Sequence, residues 1–183
     1  MIRSWRFSLG ALALAAMSPP NPVAAFTLES TTVAPGKPLP SAHVLNGFGC
    51  TGKNRSPELA WYNPPDGTRS FAVTVYDPDA PTGSGWWHWV VFDIPSAINH
   101  LPEDAGSGYG IPVEAVQSRT DFGTTGYGGA CPPPGAPHRY IFTVYALKLD
   151  HLNLTPEASA ALVGFTIGAN SLGKASLTAF YER

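Results

Sequence analysis

Three side chains stand out for the chemistry they could do together: the carboxylate of Asp77 and the imidazoles of His88 and His138. Each lies at or near the end of an apolar stretch, where a polar group that shares a face with core residues must be partnered. Asp77 has the parity of Phe71, Val73 and Val75, His88 that of Val90, Phe92 and Ile94, and His138 that of Tyr140, Phe142 and Val144. An imidazole N–H is a natural donor to a buried carboxylate, so Asp77 would orient one or both rings. A histidine beside a carboxylate can carry charge, and with glycine amide N–H groups it can hold a phosphate or a carboxylate. Spacing alone also allows three separate, individually satisfied core residues. Two histidines and a carboxylate can equally take zinc or serve as acid–base groups.

Signatures of other chemistries are missing. The sequence has no His-Glu-x-x-His helix, no Gly-x-Ser-x-Gly elbow and no Gly-x-x-x-x-Gly-Lys loop, so neither an enzyme nor a cofactor is expected. Gly106-Ser107-Gly108-Tyr109-Gly110 follows no strand and opens no clear helix, which argues against a dinucleotide site. His43, His100 and His151 sit in polar or turn-rich surroundings and read as surface residues.

The elements that must position the triad are strands. Phe71–Asp77 is β-branched and aromatic and stops at Pro78, which cannot donate to a central ladder. Trp86–Ile94 is apolar on both faces, as expected of a central strand covered on each side. Arg139–Leu147 is a third strong strand, Leu59–Trp61 a brief one, and Leu177–Tyr181 reads as the last. Residues 26–57 are rich in turn formers, and Asn99–Tyr127 is irregular and Gly-rich. Helix is expected only from Pro156 to about Leu162 and over a few residues around Ala169–Lys174. The fold class expected is all-β: an antiparallel sandwich with one or two short helices near the C-terminus.

A chain of 183 residues, 44% hydrophobic and 13% charged, is globular and sized for one domain. A formal charge of -2 argues against partners held by bulk electrostatics, such as nucleic acid, so any anion site must be local. Arg3 and Arg6 precede an apolar run from Phe7 to Ala16, and Val23-Ala24-Ala25 offers a cleavage point before Phe26. Residues 1–25 therefore read as a signal peptide and 26–183 as the mature domain, periplasmic or secreted. The apolar run is short of the roughly 20 residues that span a bilayer, so no transmembrane segment is expected in the mature chain. In an oxidising compartment the single pair Cys50 and Cys131 is expected to bridge, with two buried thiols as the alternative.

Asp77-Pro78-Asp79-Ala80-Pro81, Trp86-Trp87-His88-Trp89 and Gly129-Ala130-Cys131-Pro132-Pro133-Pro134-Gly135, followed by His138-Arg139-Tyr140, resemble the two signature regions of the phosphatidylethanolamine-binding protein family. The likeness is to its bacterial, Raf kinase inhibitor-like branch. It runs from Ser56 to Thr178, nearly the whole mature chain. What the resemblance implies is a β-sandwich with a pocket for phosphate or phosphorylethanolamine-like head groups, lined by Asp77, Trp86, His88, Gly129, Pro132, His138 and Tyr140. It implies structural roles for Asp79 and Arg139, and a pocket wall stiffened by any bridge from Cys131. The segment Phe165–Asn170 lacks the histidines expected there in bacterial relatives. The function implied is binding of a small anion or phospholipid head group, with modulation of a partner protein. An inhibitor that docks on a hydrolase or kinase is the alternative, and a metal-dependent hydrolase is third.

Overall fold

A computed structural model describes Met1 and residues 24–183. The signal-peptide segment therefore lies almost wholly outside the described residues. In chain order the strands are β1 (Thr27–Glu29), β2 (Asn46–Gly47), β3 (Cys50–Thr51), β4 (Leu59–Tyr62), β5 (Ser70–Asp77), β6 (Trp86–Pro95), β7 (His100–Leu101), β8 (Val116–Gln117) and β9 (His138–Leu147). Helix α1 (Ala160–Asn170) and strand β10 (Ser171–Tyr181) close the order.

An antiparallel five-stranded sheet, β10-β9-β5-β6-β8, faces a smaller sheet, β1-β4-β7. Between them lies the main core, built from Phe71, Val73 and Val75 of β5, Trp89 and Val91 of β6, and Tyr140, Phe142 and Val144 of β9. Leu28, Leu59, Trp61 and Leu101 meet these from the small sheet. A second core lies on the far face, where Ala160, Val163 and Ile167 of α1 cover Ala72, Val90, Phe92 and Leu147. With a layer on each side, β6 has no solvated face, which is why its sequence is apolar at both parities.

Two expectations are corrected here. Helix begins at Ala160, not Pro156, because Ser159 is the N-cap: its hydroxyl accepts from the Leu162 N–H at 3.3 Å. Residues 171–174 are strand, not helix, because β10 pairs with β9 from Ser171 opposite Leu147 to Tyr181 opposite His138.

The alternation along β6 is also broken. Trp89 pairs with Val75 and Trp87 with Tyr76, so His88 is an extra residue, a β-bulge. Trp87 consequently packs toward the helix-side core and Trp89 toward the main core, two residues apart yet on opposite faces. A simple period of two aligns His88 with Val90 and Phe92, which belong to the helix side. The bulge instead turns His88 toward Tyr140, with ring centroids 5.1 Å apart.

Candidate anion pocket

The C-terminal end of β5 and the N-terminal ends of β6 and β9 meet at one edge of the sandwich, around a cavity of about 210 Å³. Asp77, His88 and His138 all line it, as do Trp86, Pro132 and Tyr140. Asp77 is nearly buried, and both its oxygens accept: Oδ2 from Nδ1–H of His138 at 2.7 Å, Oδ1 from the Asp79 N–H at 2.8 Å. Those bonds compensate the loss of water around the carboxylate. Asp79 in turn takes the Arg139 guanidinium through two N–H groups, at 2.8 and 2.7 Å, and the Arg139 amide at 2.9 Å. This fork pulls the Asp79 carboxyl down to about 2 and fastens the loop after β5 to the start of β9.

His88 is held differently. Its Nδ1–H donates to the Gly128 carbonyl at 2.7 Å, and the Gly128 N–H donates back to the His88 carbonyl at 2.9 Å. Burial pushes the His88 imidazole below its ordinary range, more than the Gly128 bond and the Asp77 charge raise it. In both histidines Nδ1 is thus spent, and Nε2 is the nitrogen left for the pocket. Tyr140 is 1% exposed, and its hydroxyl finds no partner among the described residues. Burial, then the charge of Asp77, pushes its phenol well above the ordinary tyrosine range, so it stays a donor.

Gly129 is the exception among the expected lining residues. Its N–H donates to Asn54 Oδ1 at 2.7 Å and is not free for a ligand. Its place is a close backbone crossing, since a Cβ there would lie 2.4 Å from the Leu45 nitrogen and 2.6 Å from the His43 carbonyl oxygen. His43 is a second correction. It is 1% exposed, accepts the Tyr127 O–H through its carbonyl at 2.9 Å, and bonds the Arg55 carbonyl through Nδ1 at 2.8 Å. His100 and His151 do lie at the surface, paired with Glu58 and Asp93.

Sequence reasoning missed the aromatic rim. Phe122 stacks on Phe48 at 6.0 Å between centroids and meets Trp86 edge-on at 5.3 Å and His88 at 5.4 Å. Phe122 comes from an irregular stretch with no period to place it. Gly128 makes room for it, since a Cβ there would come within 2.2 Å of the ring. Phe48 and Gly49 are the two-residue turn between β2 and β3, with φ of 52° and 87°. A bulky residue in the left-handed region costs about 1–2 kcal/mol, an anomaly that could have drawn attention to Phe48 had the turn been read as a tight hairpin.

Cys50 and Cys131 form the disulfide, with Cα atoms 6.0 Å apart, and so tie this hairpin to the pocket wall. Arg183 repeats the tie without covalency, donating to the carbonyls of Pro132 at 2.7 Å and Phe48 at 3.2 Å. Among the described residues no group of three His, Cys, Asp or Glu side chains is disposed to hold a metal ion. No helix among them is long and apolar enough to cross a membrane.

Comparison with known proteins places this geometry. Residues 29–182 match the family model described as phosphatidylethanolamine-binding protein. The Escherichia coli protein YbcL is 52% identical over 162 residues, covering 87% of this chain and 88% of that one. YbhB of the same organism is 53% identical over 156 residues, 85% of this chain and 99% of its own. The crystal structure of E. coli YbcL, described as a new member of the mammalian PEBP family, superposes with a TM-score of 0.85 over 87% of this chain and 99% of that one. A Chlamydia trachomatis homologue, 29% identical, superposes with a TM-score of 0.72 over 87% of this chain and 98% of its own. With the two signature segments meeting at one cavity and nearly the whole described chain matched, the protein belongs to the phosphatidylethanolamine-binding protein family.

Proposed function

We propose that the chain binds a small phosphate-bearing anion, free or as a phospholipid head group, in the Asp77–His88–His138 pocket, and acts as a binding protein and not as an enzyme. The buried Tyr140 hydroxyl carries the reading. A donor held out of water without a partner is costly, and a phosphate oxygen would satisfy it. Family membership fits a ligand-binding role. The Nε2 of His88 adds a donor once that ring is protonated.

Protonation couples to the ligand. Burial holds free His88 neutral, and an anion against its Nε2 favours the imidazolium, so the complex takes up a proton that the free protein lacks. Affinity should therefore rise as pH falls. Calorimetric titration with inorganic phosphate and phosphoethanolamine at about pH 5.5 and about pH 7.5 tests this. Equal affinity at both values contradicts the mechanism. Tyr140→Phe should weaken binding about tenfold through the lost charge-assisted hydrogen bond. We also read the chain as exported, its mature form starting near Phe26, and the intact mass of the protein recovered from cells tests that.

A further inference from the structure

We infer that the pocket selects phosphoesters bearing a quaternary ammonium group, with the phosphocholine type preferred over the primary-amine type, because Phe48, Trp86 and Phe122 form an aromatic rim at its mouth. This rests on the phosphate reading above and specifies the other end of the ligand. The three rings line one cavity and touch in sequence, Phe48 on Phe122 and Phe122 against Trp86. Phe122 also meets His88, whose other neighbour is Tyr140. A short ligand with its phosphoryl group at Tyr140 and His88 therefore carries its cationic end onto the rings.

Aromatic faces attract a cation, and a trimethylammonium group suits them because it has no N–H to satisfy. A primary ammonium brings three N–H donors, and the mouth offers few acceptors. Asp77 is 2% exposed, and each of its carboxylate oxygens already accepts one bond. Pro81, Pro132 and Pro133 supply the rest of the wall near the rim. The guanidinium groups of Arg139 and Arg183 are already engaged, Arg139 by Asp79 and Arg183 by the Phe48 and Pro132 carbonyls.

The backbone supports a purpose for Phe48. A two-residue turn with φ of 52° and 87° favours Asn-Gly, yet a phenylalanine occupies its first position and stands 71% exposed. Apart from its stack on Phe122 the ring is left to solvent, so burial does not account for an aromatic in this strained position. Phe48→Asn suits the turn better and removes the ring, so it should fold while altering selectivity.

The experiment is calorimetric titration of the mature protein with inorganic phosphate, phosphoethanolamine and phosphocholine, repeated for Phe48→Asn and Phe122→Leu. Phosphocholine is expected to bind about fivefold or more tighter than phosphoethanolamine, and the ratio should fall toward one in both variants. Using the ratio within each variant keeps a general loss of affinity from mimicking the effect. Phosphate binding with equal affinity for the two amines overturns the selectivity alone. No binding of phosphate or of either ester overturns the pocket reading and this inference together. Co-flotation with phosphatidylcholine vesicles separates the two sources of the group. Flotation supports the inference with a lipid head group as ligand, and tight phosphocholine binding without flotation supports it with a soluble ester.

Discussion

At one end of the five-stranded sheet, Asp77 accepts from His138 at 2.7 Å, with both side chains largely buried; at the other end, Asp93 faces His151 at 3.5 Å, with the imidazole 61% exposed. The residue types are the same and the outcomes differ. Asp93 sits at a bulge in β6 with φ of 58°, and its Oδ1 accepts the Leu152 N–H at 2.9 Å. That bond fixes the chain after β9 where Leu152 enters the helix-side core. His151 adds only a solvent-exposed contact. At the pocket end the second nitrogen of His138 faces a cavity that also holds an unspent buried hydroxyl. A carboxylate–imidazole pair is a binding element when its free nitrogen has such a cavity in front of it, and an anchor when the carboxylate spends itself on backbone.

The largest expected difference between the ends is covalent. Only the pocket end carries a disulfide, and it closes a sequence separation of 81 residues. Cys50→Ala with Cys131→Ala should lower unfolding free energy by about 4.5 kcal/mol on the chain-entropy account, measured by urea denaturation. Ligand affinity should fall as well, because that bond, with Arg183, ties the hairpin carrying Phe48 to the Cys131–Pro132 wall. A loss under about 1 kcal/mol would mean that other contacts already hold the hairpin in place.

The second test exchanges each carboxylate for its amide. Asp77→Asn keeps an acceptor but removes the charge that orients His138, so ligand affinity should drop at least about tenfold and stability by about 1–2 kcal/mol. Burial pushes the Asp93 carboxyl above its ordinary range, so its charge is already disfavoured. Asp93→Asn should therefore change stability by less than about 1 kcal/mol and leave ligand affinity alone. Equal losses of affinity from the two variants would erase the distinction drawn between the ends.

How far the sequence reveals these ends follows from periodicity. The strands β5, β6 and β9 are legible because long apolar runs end at prolines or polar residues, and the parity of Asp77 and His138 matches their faces in the sandwich. His88 reaches the pocket by a bulge, which parity cannot register. Phe48 and Phe122 lie in a turn and an irregular stretch, where no period assigns a face. His43 reads as a surface residue from the turn-rich stretch around it, yet its bonds with the distant Tyr127 and with Arg55 hold it in the interior. The family resemblance implies a pocket-lining role for Gly129, whereas the structure shows a backbone crossing that requires a glycine there.

The smallest expected effect comes from acid. His88 and His43 are nearly buried, and burial lowers the affinity of both imidazoles for a proton. In the unfolded chain each takes up a proton as pH falls through about 6.5, while the native protein does not until lower pH. The unfolded state then binds more protons, so stability is fully present above that value and is lost as pH falls below it. Between about pH 7 and pH 6 the loss is ~0.7 kcal/mol for each histidine whose native titration is fully suppressed. His43→Gln and His88→Gln should each shallow the slope, and an unchanged slope in both variants would remove buried imidazoles as its cause. Saturating phosphate separates the two positions further. An anion on Nε2 raises the native proton affinity of His88, so the ligand should cancel its share of the acid loss and leave that of His43 intact.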